Sequence, residues 1–170
     1  MIRRYTVVVL GAILTFGTFV TWPQTPSTPG ERKRFVEVAH KLEQSPLDEG
    51  LRSEREWALK WLIQVPDVHV ELCSNALGPY LREKFKRSPE ITLQLTLSSG
   101  AFVIEHPEQA TDKVAQNVAG VEGALKAYQA ILKQEPKSKS RALDDLLEKQ
   151  SKGELADTVA KNVEKGCKSN

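Results

Sequence analysis

The chain has 170 residues, with 24 lysines and arginines against 22 aspartates and glutamates, two cysteines and a formal net charge of +2. The whole excess lies in residues 1–30, which contain Arg3 and Arg4 and no acidic residue, so residues 31–170 are balanced in charge. This balance argues against a strongly basic nucleic-acid-binding protein, whose affinity depends on clustered cations, and the length suits one domain.

The N-terminus has the pattern of an export signal. Arg3 and Arg4 precede an apolar run over residues 5–20, and a basic start followed by an apolar stretch is typical of secretory signals. The run is shorter than the roughly 20 residues that span a bilayer. We expect residues 1–22 to be a signal peptide, or a signal anchor if uncleaved, and the protein to be periplasmic or extracellular. Membrane contact is expected only through residues 1–22.

The next stretch predicts a spacer followed by one folded domain. Residues 23–30 contain three prolines, which prevent a continuous helix. We therefore assign residues 23–30 to a Pro-rich spacer and residues 31–170 to the folded domain.

Helical periodicity recurs along the domain. Apolar residues are spaced three and four apart within residues 31–44, 53–65, 108–134, 141–150 and 155–164, which predicts amphipathic helices. Ser53 and Glu56 predict a capping box at the start of the second helix. Because that helix is apolar around most of its surface, we predict that it lies at the centre of the core.

Two regions are ambiguous between helix and strand. Residues 68–73 and 91–97 alternate apolar and polar side chains, and residues 101–104 follow a Ser-Ser-Gly turn signal. Ser88-Pro89-Glu90 instead favours a helix start. We predict an all-α, single compact multi-helix domain. The alternative is an α+β fold with a small antiparallel sheet from residues 68–73, 91–97 and 101–104.

The helix over residues 108–134 contains a stretch without bulky side chains. Each glycine in it costs about 1 kcal/mol relative to alanine, and close packing of a neighbouring helix would offset that cost. We therefore expect this stretch to form a face on which another helix packs. We further expect that a protein partner, or a second copy of the chain, binds this face. The face comprises Ala119, Gly120, Gly123, Ala124 and Ala127.

Cys73 and Cys167 are the two cysteines. In an exported protein an even count favours a disulfide, so we predict a bond between them. In the chain-entropy model, closing so long a loop stabilises a fold by about 4–5 kcal/mol.

Motifs for catalysis or cofactor binding are not evident. His40, His69 and His106 lack the close spacing of zinc ligands, and the Asp144-Asp145 and Glu154/Asp157 pairs have the pattern of solvated helix faces. Nucleophile-elbow, phosphate-loop and dinucleotide motifs do not occur. We expect no metal and no cofactor.

These observations favour a non-enzymatic interaction or structural module of the periplasm or cell envelope. One alternative is an envelope-acting hydrolase whose site forms only in three dimensions, for which a pocket gathering Glu105, His106 or other buried acids would be the sign. Another is a membrane-tethered accessory subunit that retains residues 1–22.

Overall fold

The computed structural model describes residues 25–167. Within that range the chain forms six helices, α1 (Pro29–Gln44), α2 (Arg52–Gln64), α3 (Ser88–Glu105), α4 (Lys113–Gln134), α5 (Arg141–Ser151) and α6 (Leu155–Gly166). Short 3₁₀ turns occupy Glu49–Leu51, Gly78–Arg82 and Pro107–Gln109. These residues contain no strand, so the all-α prediction is confirmed and the α+β alternative is wrong.

The predicted signal segment, residues 1–22, lies outside the described residues, as do Pro23 and Gln24 of the predicted spacer. Among residues 25–167, no helix is both long enough and apolar enough to cross a bilayer.

The start of α1 lies within the predicted spacer. Thr28 caps the helix: its hydroxyl accepts a hydrogen bond from the Glu31 amide, and the Glu31 carboxylate accepts one from the Thr28 amide at 2.8 Å. Pro29 suits the first helical position, where a backbone N–H is not required. Pro29 and Gly30 therefore belong to α1.

Helix α2 differs from the prediction at its start and in its position. It begins at Arg52 without a side-chain cap, so the expected capping box of Ser53 and Glu56 is wrong. It also packs at the edge of the domain, since only Ala58 and Trp61 are buried and Ile63 is 74% exposed. The central position that we expected for α2 belongs to α3.

Helix α3 separates two apolar clusters. Ile91 and Leu95 contribute to one cluster with α4, α5 and α6, and Leu97 and Ala101 contribute to the other with α1 and α2. Because apolar side chains are buried on both sides of α3, its apolar residues are not confined to one face of the helix. This two-sided burial explains why residues 91–97 resemble a strand although they are helical.

Residues 68–73 are extended without belonging to a sheet. Side-chain amides of α4 supply the hydrogen bonds that a neighbouring strand would make. The Glu71 amide donates to Gln116 Oε1 at 2.8 Å, the Cys73 amide donates to Asn117 Oδ1 at 2.9 Å, and Asn117 Nδ2 donates to the Glu71 carbonyl at 2.8 Å. The alternating pattern of residues 68–73 therefore belongs to an extended segment that packs against α4.

Helices α3 and α4 approach closely at Gly120. The Ser99 hydroxyl donates to the carbonyl oxygens of Leu95 on its own helix and Gln116 on α4, at 2.9 and 3.0 Å. A Cβ at Gly120 would lie 2.7 Å from the Leu95 carbonyl oxygen and would overlap Ser99 Oγ. A glycine is thus required for the observed spacing of the two helices.

A disulfide joins Cys73 to Cys167, with the two Cα atoms 5.8 Å apart, as the cysteine count predicted. It ties the end of α6 to the extended segment that precedes the Gly78–Arg82 turn. Asn75 reinforces this junction, since its Nδ2 donates to the Asn162 carbonyl at 2.8 Å.

Replacing Gly120 with alanine is expected to lower the free energy of unfolding by about 1–3 kcal/mol, because the new methyl group forces α3 and α4 apart. Urea denaturation measures the loss. Gly30→Ala is the matched control, since nothing lies within 4 Å of a Cβ there. Equal stability of the two variants would show that the helices do not need this close approach.

Replacing both Cys73 and Cys167 with alanine is expected to lower the free energy of unfolding by about 2–5 kcal/mol, because the unfolded chain gains freedom. Urea denaturation with and without reductant checks this. Reductant should destabilise the native sequence and leave the double variant unchanged. Two free thiols on protein taken from its native compartment would contradict the disulfide.

Candidate functional site

An open cleft of about 760 Å³ lies between the C-terminal parts of α1 and α4. Side chains of α1 at positions 40, 43 and 44 form one wall, and side chains of α4 from three successive turns form the other. Its lining residues are His40, Glu43, Gln44, Lys126, Gln129, Ala130, Lys133 and Gln134. The volume falls within the range of small-ligand pockets, although this lining is more polar than most.

A buried carboxylate is the central feature of the cleft. The Glu43 side chain is only 7% exposed, and burial of an unpaired carboxylate would be strongly unfavourable. Glu43 Oε2 pairs with Lys126 Nζ at 3.0 Å, and Glu43 Oε1 accepts a hydrogen bond from the Ser98 hydroxyl at 2.9 Å. The carboxylate is therefore compensated from α3 and from α4.

Polar side chains of α3 support Glu43 from behind. Gln94 Nε2 donates to Ser98 Oγ at 2.8 Å and to the Ala39 carbonyl at 3.0 Å. Gly123 of α4 provides the room: a Cβ there would overlap Ser98 and approach Glu43 Oε1 to 2.8 Å. The buried network thus depends on a glycine of the predicted small-residue face.

His40 connects Glu43 to the end of α3. Its Nδ1 lies 3.4 Å from Glu43 Oε2 and its Nε2 lies 3.2 Å from Glu105 Oε1. Partial burial by itself lowers the pKa of His40, but hydrogen bonds and charge from Glu105 and Glu43 outweigh it, so the pKa is raised above its ordinary value. The imidazole is therefore held between two acids.

The cleft lining holds two lysines and one acid, although the domain as a whole is balanced in charge. Lys126 neutralises Glu43, whereas Lys133 makes no ion pair with any acid among residues 25–167. The side-chain amides of Gln44, Gln129 and Gln134 add hydrogen-bond donors around it. This combination can bind an anionic group by charge and by hydrogen bonds.

The predicted helix-packing face lies mainly inside the chain. Gly120 and Gly123 face α3, Ala124 and Ala127 are buried, and Ala119 is half-buried. The structure does not test the expectation of self-association through this face.

A pocket that gathers Glu105 with His106, which would have been a sign of the hydrolase alternative, is not formed among residues 25–167. Glu105 contacts His40, whereas the His106 ring lies against Phe102 and its Nδ1 is 3.6 Å from Glu108. Among residues 25–167, no three His, Cys, Asp or Glu side chains come together in a way that could hold a metal ion.

The main residues of the cleft were not identified from the sequence. Glu43, Lys126 and Lys133 are ordinary charged residues on helices, and their spacing along the chain has no signature. The available signal was Gly123, a glycine inside an otherwise strong helical pattern. It indicated close packing, and the partners at that contact are Ser98 and Glu43.

Replacing Glu43 with glutamine is expected to lower the free energy of unfolding by about 1–3 kcal/mol, because the buried network loses its negative charge and one of its two accepting oxygens. Urea denaturation measures the difference. Glu37→Gln on the same helix is the control, since Glu37 is 52% exposed and lies 3.9 Å from Lys33, a pair expected to contribute little. Equal losses in the two variants would contradict a structural role for the buried carboxylate.

Comparison with protein-family models, with curated proteins and with solved structures gives no match.

Proposed function

We propose that this chain is an exported, non-catalytic helical module that binds an anionic group in the cleft between α1 and α4. The observation that carries the proposal is the lining of that cleft. Lys133, free of any acid among the described residues, stands with three glutamine side chains above a carboxylate that Lys126 already neutralises. Carboxylate and phosphate or sulfate oxygens are the chemistry that such donors recognise.

The internal bonding of the cleft favours binding over catalysis. Ser98, the hydroxyl of the network, does not line the cleft and donates to Glu43, which does. Glu43 in turn accepts from Ser98 and pairs with Lys126. A general base must be able to reach the proton that it abstracts, and these contacts occupy both oxygens of the carboxylate.

The disulfide supports the exported location. Bonds of this kind persist outside the reducing cytosol, and Cys73–Cys167 joins distant parts of the chain as a structural bond does. The basic and apolar pattern of residues 1–22 supports the same location. Intact mass of the protein from a membrane-free fraction distinguishes a cleaved signal from a tethered accessory subunit.

One observation supports the hydrolase alternative. His40, which lines the cleft, contacts the carboxylates of both Glu43 and Glu105. Release of soluble fragments from isolated cell envelopes by the native protein, and not by the Glu43→Gln variant, would favour it over binding alone.

The native protein is expected to bind succinate and phosphate near pH 7 with weak affinity, and to bind neutral succinamide much less. Backbone NMR shifts should change at residues 40–44 and 126–134. Lys133→Gln should weaken binding about fivefold, which corresponds to ~1 kcal/mol for a charge interaction near solvent, and added salt should weaken it too. The relative affinities for succinate and phosphate distinguish a preference for a carboxylate ligand from a preference for a phosphate ligand.

Lys60→Gln on α2 is the matched control, because it removes the same charge from an exposed position away from the cleft. Equal binding of succinate and succinamide, or equal affinity of the Lys133 and Lys60 variants, would overturn the proposal.

A further inference from the structure

His40 lies between two carboxylates that belong to different helices. Glu43 is one turn further along α1, and Glu105 is the last residue of α3. Each ring nitrogen faces a carboxylate oxygen, at 3.4 Å for Nδ1 and 3.2 Å for Nε2. The imidazole is thus the link between the end of α3 and the buried network of the cleft.

Only one protonation state satisfies this geometry. Neutral imidazole has one N–H donor and one lone pair, whereas imidazolium donates from both nitrogens. In the neutral ring, one nitrogen lone pair must face a carboxylate oxygen that has no proton to share. The negative end of the α3 helix dipole, at Glu105, also favours a cation here.

Three other charged groups of α1 and α2 have partners away from the imidazole. On α1, Glu37 lies 3.9 Å from a lysine one turn earlier. From α2, Glu54 pairs with an arginine of α1 at 3.2 Å, and Arg55 donates to the Pro46 carbonyl at 2.8 Å. These two helices therefore leave Glu43 as the acid that contacts the imidazole.

Helices α3 and α4 present the remaining groups. Glu105 contacts the imidazole directly, and its neighbour His106 is beside Glu108. From α4, Lys126 Nζ pairs with the same oxygen of Glu43 that faces the imidazole, and Lys133 lines the same cleft. Two cations then share one carboxylate oxygen when the ring is protonated.

We propose that His40 is a proton-operated switch of the cleft: its protonation links α1 to Glu105 of α3 and adds positive charge beside Lys126 and Lys133, so that anions bind more tightly in mild acid. This inference rests on the proposed function, since it concerns the regulation of the same site.

The direction of the pH dependence follows from the pKa of His40, which is raised in the folded protein. A histidine whose folded pKa exceeds its unfolded value, about 6.5, stabilises the fold fully below that value. This contribution is lost as the pH rises through the folded pKa. By linkage, an anion that prefers the protonated ring must itself raise the pKa of His40 further.

Sulfate is the probe, because it keeps the same charge over the whole range. The native protein is expected to bind sulfate about fivefold more tightly near pH 5.5 than near pH 8, at constant ionic strength. His40→Gln should bind sulfate with the same affinity at both pH values. Isothermal titration calorimetry or NMR shifts measure the affinities.

Glu105→Gln is the second variant, because it removes one acid facing the ring without touching the cleft lining. NMR titration of the His40 ring should show a lower pKa in this variant than in the native protein. The pH at which sulfate affinity is halfway between its acidic and its alkaline values should fall together with this pKa. The ring shifts of His69, which is exposed and remote in sequence, serve as the internal control.

The outcomes separate this inference from the proposed function. Sulfate binding that depends on Lys133 but is equal at both pH values overturns the switch and leaves the binding function intact. An unchanged His40 titration in Glu105→Gln also overturns the switch. Absence of sulfate binding to the native protein at either pH overturns both.

Discussion

The close approach of α3 and α4 is the constraint on which the remaining packing depends. Ser99 donates to carbonyl oxygens on both helices, and Gly120 leaves the space in which its hydroxyl lies. With these two helices fixed at the centre, one apolar cluster forms on each side of α3. Helix α2 is left at the edge because the central position is already filled by α3, whose sequence is the more apolar of the two.

The same contact creates the polar interior of the site. Gly123 allows Ser98 to reach Glu43, and a carboxylate from α1 is thereby buried against two other helices. A buried ion pair is weak evidence for net stability, since desolvation offsets much of the attraction. The pairing of Lys126 with Glu43 instead fixes how α1 meets α4. The cleft, its charge and the setting of His40 follow from that arrangement.

The C-terminal half is held to the same centre by polar contacts and a covalent bond. The side-chain oxygens of Gln116 and Asn117 on α4 accept hydrogen bonds from the backbone amides of Glu71 and Cys73 in the extended segment, and the disulfide ties the end of α6 to that segment. These side-chain amides take the place of a neighbouring strand. They satisfy backbone groups of Glu71 and Cys73 that would otherwise lack a protein partner. The pattern of residues 68–73 could not distinguish a strand from such a segment.

The sequence alone determined the helical class, most helix ends and the cysteine pair, because these depend on local periodicity, on start signals such as Ser88-Pro89-Glu90 at the beginning of α3 and on residue counts. It also marked Gly120 and Gly123 as a place of close packing. The tertiary structure decided which helix is central and brought Glu43 into a network with side chains of α3 and α4. Those contacts join residues some 55 and 83 positions apart. Local patterns carry no record of such distant pairings, which arise only when the helices pack.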